Sequence, residues 1–404
     1  MKDSSVGQIP SIRKKILIIC DFYLPSTKSG GGMWTVANLV DRFCDRHDFF
    51  ILTRNYDSKG DTDPFKTVET GEWNQVGNAS VFYVAARNIT RLTITKIVNQ
   101  VAPDCVFLNS AMSLPAVKFL MARTQGHIKY VPVVLAPCGE LSQGALKGKS
   151  LKKRIFLRYA KTVGLFKDVI WKASTEMEVQ EIRRSIGSGV TVCVAPDLTP
   201  KTILPNFSSD LKPRKESGSA RFVFLSRLVR KKNLKYFLER LRTINGADIE
   251  LEIVGPLEDQ AYWRECRAEI DRLPANIKVV VVGAVSYPEG LERLCSNQFF
   301  VLPTLNENFG YVLIESLAAG CPLLTTDNTP WKDIEQRGVG WQLPLENPDG
   351  WIHRINKCIQ MKNDDYRTMS AAAREYAVEW LAKPESDEAT ARVLSRALGE
   401  GEVQ

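Results

Sequence analysis

Histidine is scarce in this chain of 404 residues: only His47, His127 and His353 are present. They stand far apart and join no cysteine cluster, so neither a histidine-built metal site nor an imidazole general base has an obvious candidate. Paired cysteines are missing too. The nine cysteines, at positions 20, 44, 105, 138, 193, 266, 295, 321 and 358, form no CxxC and have mostly apolar neighbours. They read as reduced core thiols in a cytosolic protein, and no structural zinc is expected. No apolar run approaches the ~18 residues of a membrane span. Lys14-Lys15 leads into only a short apolar strand, so neither a span nor a signal peptide is expected.

Hydrophobic content of 44% and charged content of 25% are those of a folded globular protein, and the length suits two domains with separate cores. The net charge of +8 points to an anionic partner: a nucleotide-sugar, a phospholipid or a nucleic acid.

Short apolar runs alternate with helix-period segments. Strands are expected at Ile16–Cys20, Phe49–Thr53, Val81–Val84, Cys105–Leu108 and Val131–Leu135, with helices at Ile89–Val101 and Leu114–Ala122. Thr175-Glu176-Met177-Glu178 reads as a capping box opening another helix. The stretch Pro196 to Gly218, with Pro200, Pro205 and Pro213 inside it, reads as a linker. Beyond it come strands at Phe222–Leu225, Ile249–Val254, Val279–Val282 and Phe299–Leu302. The alternation predicts α/β architecture with parallel sheets: a first domain over 1–200, a second over 201–379 and a final helical segment over about 380–404.

The segment Phe299 to Trp331 concentrates the chemistry. A buried strand, Phe299–Leu302, is followed by a polar loop, a helix of about three turns starting near Phe309 and a further strand at Leu323-Leu324. The loop therefore opens at the carboxyl edge of a parallel sheet, where such folds bind ligands. Glu307 lies in this loop and Glu315 follows after seven intervening residues, about 9 Å along the helix from its first turn. Between the two acids, the amides of Asn308, Phe309, Gly310 and Tyr311 form a helix start suited to an anion. Two readings fit: a helix cap plus a solvated Glu, or two carboxylates spanning a hydroxyl-rich sugar, a diphosphate and a ribose.

Glu307-Asn308-Phe309-Gly310 through Glu315-Ser316-Leu317-Ala318-Ala319-Gly320-Cys321-Pro322 resembles the Glu, seven residues, Glu segment of the retaining family 4, or group 1, glycosyltransferases of GT-B fold. Asn328-Thr329-Pro330-Trp331 resembles a subset of bacterial polysaccharide transferases. The resemblance implies two Rossmann-like domains facing across a cleft, with the last helical segment crossing back to the first domain. It implies that Glu307 contacts donor-sugar hydroxyls, that the following amides hold sugar and phosphate, and that Glu315 binds the ribose of a nucleoside-diphosphate sugar, with no cofactor beyond that substrate.

Ser29-Gly30-Gly31-Gly32, between the first strand and the first helix, is a phosphate-approach design. In the family resembled, the backbone at the positions of Gly30 and Gly31 meets donor diphosphate and acceptor. Arg227 and Lys232, at a strand-to-helix junction, match the family's Arg and Lys that hold the leaving diphosphate, a planar fork and a point charge. The loop Ala136 to Ser142 lacks the His that many relatives use on the donor sugar, and resembles a Pro-Arg-Gly-Glu-Leu subset with Cys138 at the Arg position. Glu140 there either orients an acceptor hydroxyl or makes a local loop hydrogen bond. Asp61-Thr62-Asp63 reads as a solvated turn, not a metal site. From Lys147 to Lys161 a basic amphipathic stretch interleaves Ile155, Phe156, Leu157 and Tyr159 with cations, and no acid lies between Glu140 and Asp168. It suits an anionic membrane or a lipid diphosphate, or is a solvated helix face; no nucleic-acid module accompanies it.

The expected activity is retaining, metal-independent glycosyl transfer to a glycan or lipid-linked acceptor in surface polysaccharide biosynthesis, in the cytoplasm or on the inner membrane face. The rivals are a sugar-nucleotide epimerase of similar fold and a non-catalytic membrane or nucleic-acid binding protein.

Overall fold

Two sheets carry the chain. The computed structural model describes residues 13–57, 61, 63–142, 150–201 and 212–400. Thr62, Lys147, Lys149 and much of the expected linker, Pro205 included, lie outside the described residues. The first sheet holds β1 (Lys14–Cys20), β2 (His47–Arg54), β3 (Trp73–Val76), β4 (Ala79–Val84), β5 (Cys105–Asn109), β6 (Val133–Ala136), β7 (Val169–Ala173) and β8 (Thr191–Val194), in the order β3-β4-β2-β1-β5-β6-β7-β8. The β3–β4 hairpin at its edge is antiparallel, joined through Gly77 in a left-handed turn conformation (φ 56°). Between these strands run α1 (Gly31–Phe43), α2 (Arg91–Val101), α3 (Leu114–Thr124), α4 (Ser150–Thr162) and α5 (Glu176–Ile186).

The second sheet is parallel throughout: β9 (Ser219–Leu225), β10 (Asp248–Val254), β11 (Ile277–Gly283), β12 (Phe299–Leu302), β13 (Leu323–Thr326) and β14 (Gly340–Leu343), ordered β11-β10-β9-β12-β13-β14. Its helices are α6 (Leu234–Leu241), α7 (Gln260–Ile270), α8 (Tyr287–Ser296), α9 (Tyr311–Ala318), α10 (Pro348–Gln360) and α11 (Asn363–Ala382), with α12 (Glu385–Leu398) closing the chain. The strands β3, β7, β8 and β14 go beyond the expected set; they are short or lie at sheet edges, where the apolar pattern is weak.

Both sheets reverse winding direction beside their first strand, between β1 and β5 and between β9 and β12. Such reversals open a crevice at the carboxyl edge. The loops there are the glycine loop after β1, the 226–233 loop after β9 and the 303–310 loop after β12. The strands behind them are wholly apolar inside: Ile16 to Ile19 and Phe299 to Leu302 are fully buried. All nine cysteines are unpaired, and no described helix is long and apolar enough to cross a membrane.

Two lysines pin the entry to the second domain. Lys215 is 2% exposed and its Nζ donates to the carbonyls of Glu216, Ser219, Ile359 and Met361 at 2.6–3.1 Å. Lys212 Nζ donates to those of Leu294 and Asn297, each at 2.8 Å. A buried ammonium is costly unless fully hydrogen-bonded, and these carbonyls supply the bonds.

After α11 the chain returns to the first domain. Ala389, Val393, Leu394 and Ala397 of α12 join its core, and Arg42 of α1 bonds both Asp387 and the Thr199 carbonyl. Leu394 is 1% exposed. Leu394→Ala is therefore expected to lower stability by about 2–5 kcal/mol, read as a fall in the urea midpoint at unchanged slope; an unshifted midpoint would show that α12 contributes nothing to that core.

Candidate functional site

Glu307 sits 7% exposed at the floor of the cleft between the sheets. Its carboxylate is paired with Lys232 and accepts from Thr304 Oγ1 at 3.2 Å. Burial alone would raise its pKa, but the ammonium groups of Lys232 and Lys231 and the hydrogen bonds from Lys232 and Thr304 outweigh burial and hold the carboxyl below its usual range. Lys231, absent from the expected site, is itself largely buried, and burial lowers its pKa while Glu307 opposes the change. Its neighbour Lys232 was recognisable by family position; Lys231 could have been found only by noticing three successive cations, Arg230 to Lys232.

The 303–310 loop is held from several sides. Glu307 N donates to the Asn328 carbonyl at 3.0 Å, and Trp331 Nε1 donates to the Phe309 carbonyl at 2.6 Å. The Phe309 ring packs on Tyr311, Trp331 and Trp380 with centroids 5.0–5.5 Å apart. The Asn328–Trp331 segment is thus the support of the loop. The amides of Asn308, Phe309, Gly310 and Tyr311 donate to no acceptor among the described residues.

The helix starts later than expected. Gly310 is left-handed (φ 81°, ψ 64°), so the right-handed helix begins at Tyr311 and runs to Ala318, about two turns instead of three. A side chain at 310 would also meet Leu313 at 2.9 Å. Glu315 then lies four residues into α9, about 6 Å along its axis and not 9 Å. It is 7% exposed, and burial pushes its pKa up to about 7, offset only in part by the Tyr287 hydroxyl beside it. That hydroxyl is buried, and Glu315 is the polar group it faces. Trp34 of α1 reaches across from the first domain to pack on the Tyr287 ring, 4.7 Å between centroids.

Arg227 bonds Glu258 at 2.8 Å, both about half exposed. With Phe22, Lys28, Ser29 and Leu257 they line an opening of about 350 Å³ between the domains. The glycine loop abuts this arginine: a Cβ on Gly30 (φ 67°) would stand 3.3 Å from Arg227 Nε, and one on Gly31 3.5 Å from the Tyr311 ring. Tyr311 OH meets Thr35 Oγ1 at 3.2 Å. The structure thus brings Gly30, Gly31, Arg227, Lys232, Glu307, Asn308 and Tyr311 to one cleft.

The Glu140 carboxylate reaches out of its own loop and accepts from Ser110 Oγ, Ala111 N and Met112 N at 2.7–3.2 Å, while its backbone N donates to the Pro137 carbonyl within the loop. Burial raises its pKa against those bonds. It braces the loop after β5 against its own loop. Cys138 Sγ donates to Asn109 Oδ1 at 3.2 Å, and Asn109 Nδ2 to the Gly32 carbonyl at 2.7 Å, which ties this loop to the glycine loop. The capping box is only half formed. Thr175 Oγ1 accepts from Glu178 N, but the Glu178 carboxylate reaches past Thr175 to Ser174 N and Gly139 N, each at 2.7 Å. Asp61 pairs with Lys28, and no group of three metal-ligating side chains occurs among the described residues.

Glu315 yields a pH test. Its folded pKa of about 7 exceeds the ordinary carboxyl value, so its contribution to stability is complete below about pH 4.5 and is lost as pH rises through 7, on the order of 3 kcal/mol in all. Urea denaturation should show Glu315→Gln gaining on the wild type by that order between pH 5 and pH 8. A pH-independent difference would place the carboxyl in water.

The match to known proteins follows the same geometry. Residues 208–376 match the family model described as glycosyl transferases group 1. A comparison with curated protein sequences found no match. Among solved structures, Anabaena Alr3699/HepE in complex with UDP and glucose is 16% identical, with 95% of this chain and 100% of that chain covered at a TM-score of 0.69. Sucrose-phosphate synthase (tll1590) from Thermosynechococcus elongatus is also 16% identical, with 96% and 99% covered at 0.70. WaaG, a glycosyltransferase involved in lipopolysaccharide biosynthesis, is 13% identical, with 93% and 98% covered at 0.65. A glycosyl transferases group 1 domain is thus matched over the second sheet, residues 208–376, and the fold shared across nearly the whole length is the two-domain GT-B fold.

Proposed function

We propose that the chain transfers a sugar, with retention of configuration and without a divalent metal, from a nucleoside-diphosphate sugar to a hydroxyl of a glycan or lipid-linked acceptor in surface polysaccharide assembly. The observation that carries this is the pairing of buried Glu307 with Lys232 at the mouth of unpaired amides from Asn308 to Tyr311. In this reading Glu307 accepts from sugar hydroxyls and Glu315 from the ribose diol, while the amides take the diphosphate. The acceptor oxygen attacks the anomeric carbon from the leaving-group side. The bond from that carbon to the diphosphate oxygen breaks, a bond to the acceptor oxygen forms, and the acceptor proton passes to the departing diphosphate. Arg227, Lys231 and Lys232 stabilise the charge that grows there. Because relatives were solved with UDP, UDP-glucose or glucose, UDP-sugars are the first donors to test.

The outer face of α4 supports a site of action at the inner membrane surface. Leu151, Ile155 and Tyr159, with Val163 just beyond the helix, recur at every fourth residue and are 68%, 59%, 48% and 38% exposed. Exposed Lys152, Arg154, Arg158 and Lys161 flank them, while Leu157 and Ala160 face the core. An apolar stripe turned outward between cations fits an interfacial helix on anionic lipid, and each cation near the surface adds about 1 kcal/mol.

Two outcomes are expected. Incubated with EDTA and a panel of nucleotide-sugars, the enzyme should form a product whose NMR spectrum shows the donor's anomeric configuration, and Arg227→Ala should lower turnover about a hundredfold. Inversion, or activity abolished by EDTA and restored by manganese, would overturn the mechanism. Co-sedimentation with anionic vesicles should fall steeply with salt and weaken in Ile155→Asp; equal partition onto neutral vesicles would remove the membrane reading.

A further inference from the structure

At the carboxyl end of β7, facing the cleft, lie two charges that the proposed chemistry does not use. Lys172 and Asp197 are each 4% exposed, with Nζ and Oδ1 2.5 Å apart. Isolating an ion pair from water costs several kcal/mol per charge, and apolar residues of similar volume often serve stability as well or better. The pair therefore calls for a role other than stability, and its partners indicate one.

Asp197 Oδ1 also accepts from Ser174 Oγ at 2.9 Å. A carboxylate only accepts, so the Ser174 hydroxyl proton is committed to Asp197 and its lone pairs are left free. Into them points Asn308 Nδ2 of the second domain, at 3.1 Å, and an amide nitrogen only donates. Donor and acceptor are thus fixed at each bond: Lys172 and Ser174 both donate to Asp197, Asn308 donates to Ser174, and the last bond fixes which way round the Asn308 amide stands. Asn308 directly follows Glu307. Its other side rests on Gly139, where a Cβ would come within 3.3 Å of Asn308 Cβ, and Gly139 N is held by Glu178. Glu178 in turn holds Ser174 N at 2.7 Å, so the seat of the strut is braced from behind.

Asp197 also stands where the chain leaves the first sheet for the second. The next two residues are anchored to α1, Leu198 O accepting from Asn38 Nδ2 and Thr199 O from Arg42. The strut therefore joins the exit of the first domain to the loop that carries Glu307. We infer that Lys172, Asp197 and Ser174 are positioning residues: they dock the donor loop onto the first domain through Asn308 and set the register in which the cleft closes.

The ligand-free full chain tests this directly by small-angle scattering. Ser174→Ala and Asn308→Ala, which remove the same bond from opposite sides, should each raise the radius of gyration, and the double variant should open no further than either single one. Unchanged scattering in both singles, or additive opening, overturns the inference. The kinetic arm rests on the function proposed above and uses UDP-glucose as the probe. Ser174→Ala should lower kcat about tenfold with KM within about twofold, and Ser174→Thr, which keeps the hydroxyl, should recover kcat; a loss of stability with no change in kcat would mark a merely structural contact. A wild-type chain that ignores UDP-glucose speaks against that donor, and scattering then decides the strut.

Discussion

A carboxylate taken almost wholly out of water must be paired or neutralised, and at Glu307 this requirement organises the cleft. Pairing with Lys232 joins the loop after β9 to the loop after β12, the two connections that flank the winding reversal of the second sheet. Thr304 serves both: its hydroxyl lies against the Lys231 carbonyl and the Glu307 carboxylate, while Leu305 N donates to that same carbonyl. Once the two loops are joined, the aromatic cluster around Phe309 and the Asn328 carbonyl leave the segment little freedom. The amides from Asn308 to Tyr311 have no acceptor among the described residues and stand on a backbone held from several sides, an arrangement that suits an anion.

The two glutamates of this segment differ through their surroundings. Both are 7% exposed, yet cations hold Glu307 low and ionised, while Glu315, with only a tyrosine hydroxyl near it, is pushed up to about 7. Opposite shifts on similar groups mark a division of tasks. Glu307 keeps a fixed charge beside the cations, whereas the protonation of Glu315 depends on what hydrogen-bonds to it; in the proposed reading, hydroxyl donors from a diol would draw it toward the ionised form. Tyr287 lies beside Glu315, and Trp34 packs on the Tyr287 ring from across the cleft.

The alternation of strand and helix was legible because fully buried strands such as Ile16–Ile19 and Phe299–Leu302 form short unbroken apolar runs that no surface helix shows. Glu307, Arg227 and Lys232 were singled out by motif, and the fold gathers them at one cleft. The late start of α9 was not legible, since Gly310 signals flexibility without saying which conformation it will take. Glu178 misled for a related reason: its spacing from Thr175 satisfies a local cap, and only the fold brings Gly139 N close enough to compete. Ser174 and Asn308, 134 positions apart, leave no trace of their contact in either local pattern. Lys212 and Lys215 lie in a segment whose prolines and serines suggest a solvated linker, and only the arrangement of distant carbonyls makes their burial affordable.

What the first domain offers the cleft follows from which of its polar groups are already engaged. Glu140 accepts from the turn at Ser110 to Met112, Glu178 from Gly139 and Ser174, and Asp197 from Lys172 and Ser174, while the Cys138 thiol faces Asn109. Burial raises the pKa of that thiol well above its ordinary value, which keeps it protonated and poorly nucleophilic. These groups brace loops, and using one as a base would break a bond that shapes the cleft floor. Of the cations at the cleft, Arg227, Lys231 and Lys232 belong to the second domain, while Lys28 of the first is paired with Asp61. In the reaction proposed above, the second-domain cations would meet the charge of a departing diphosphate, and the braced groups of the first domain would contribute the shape of the cleft.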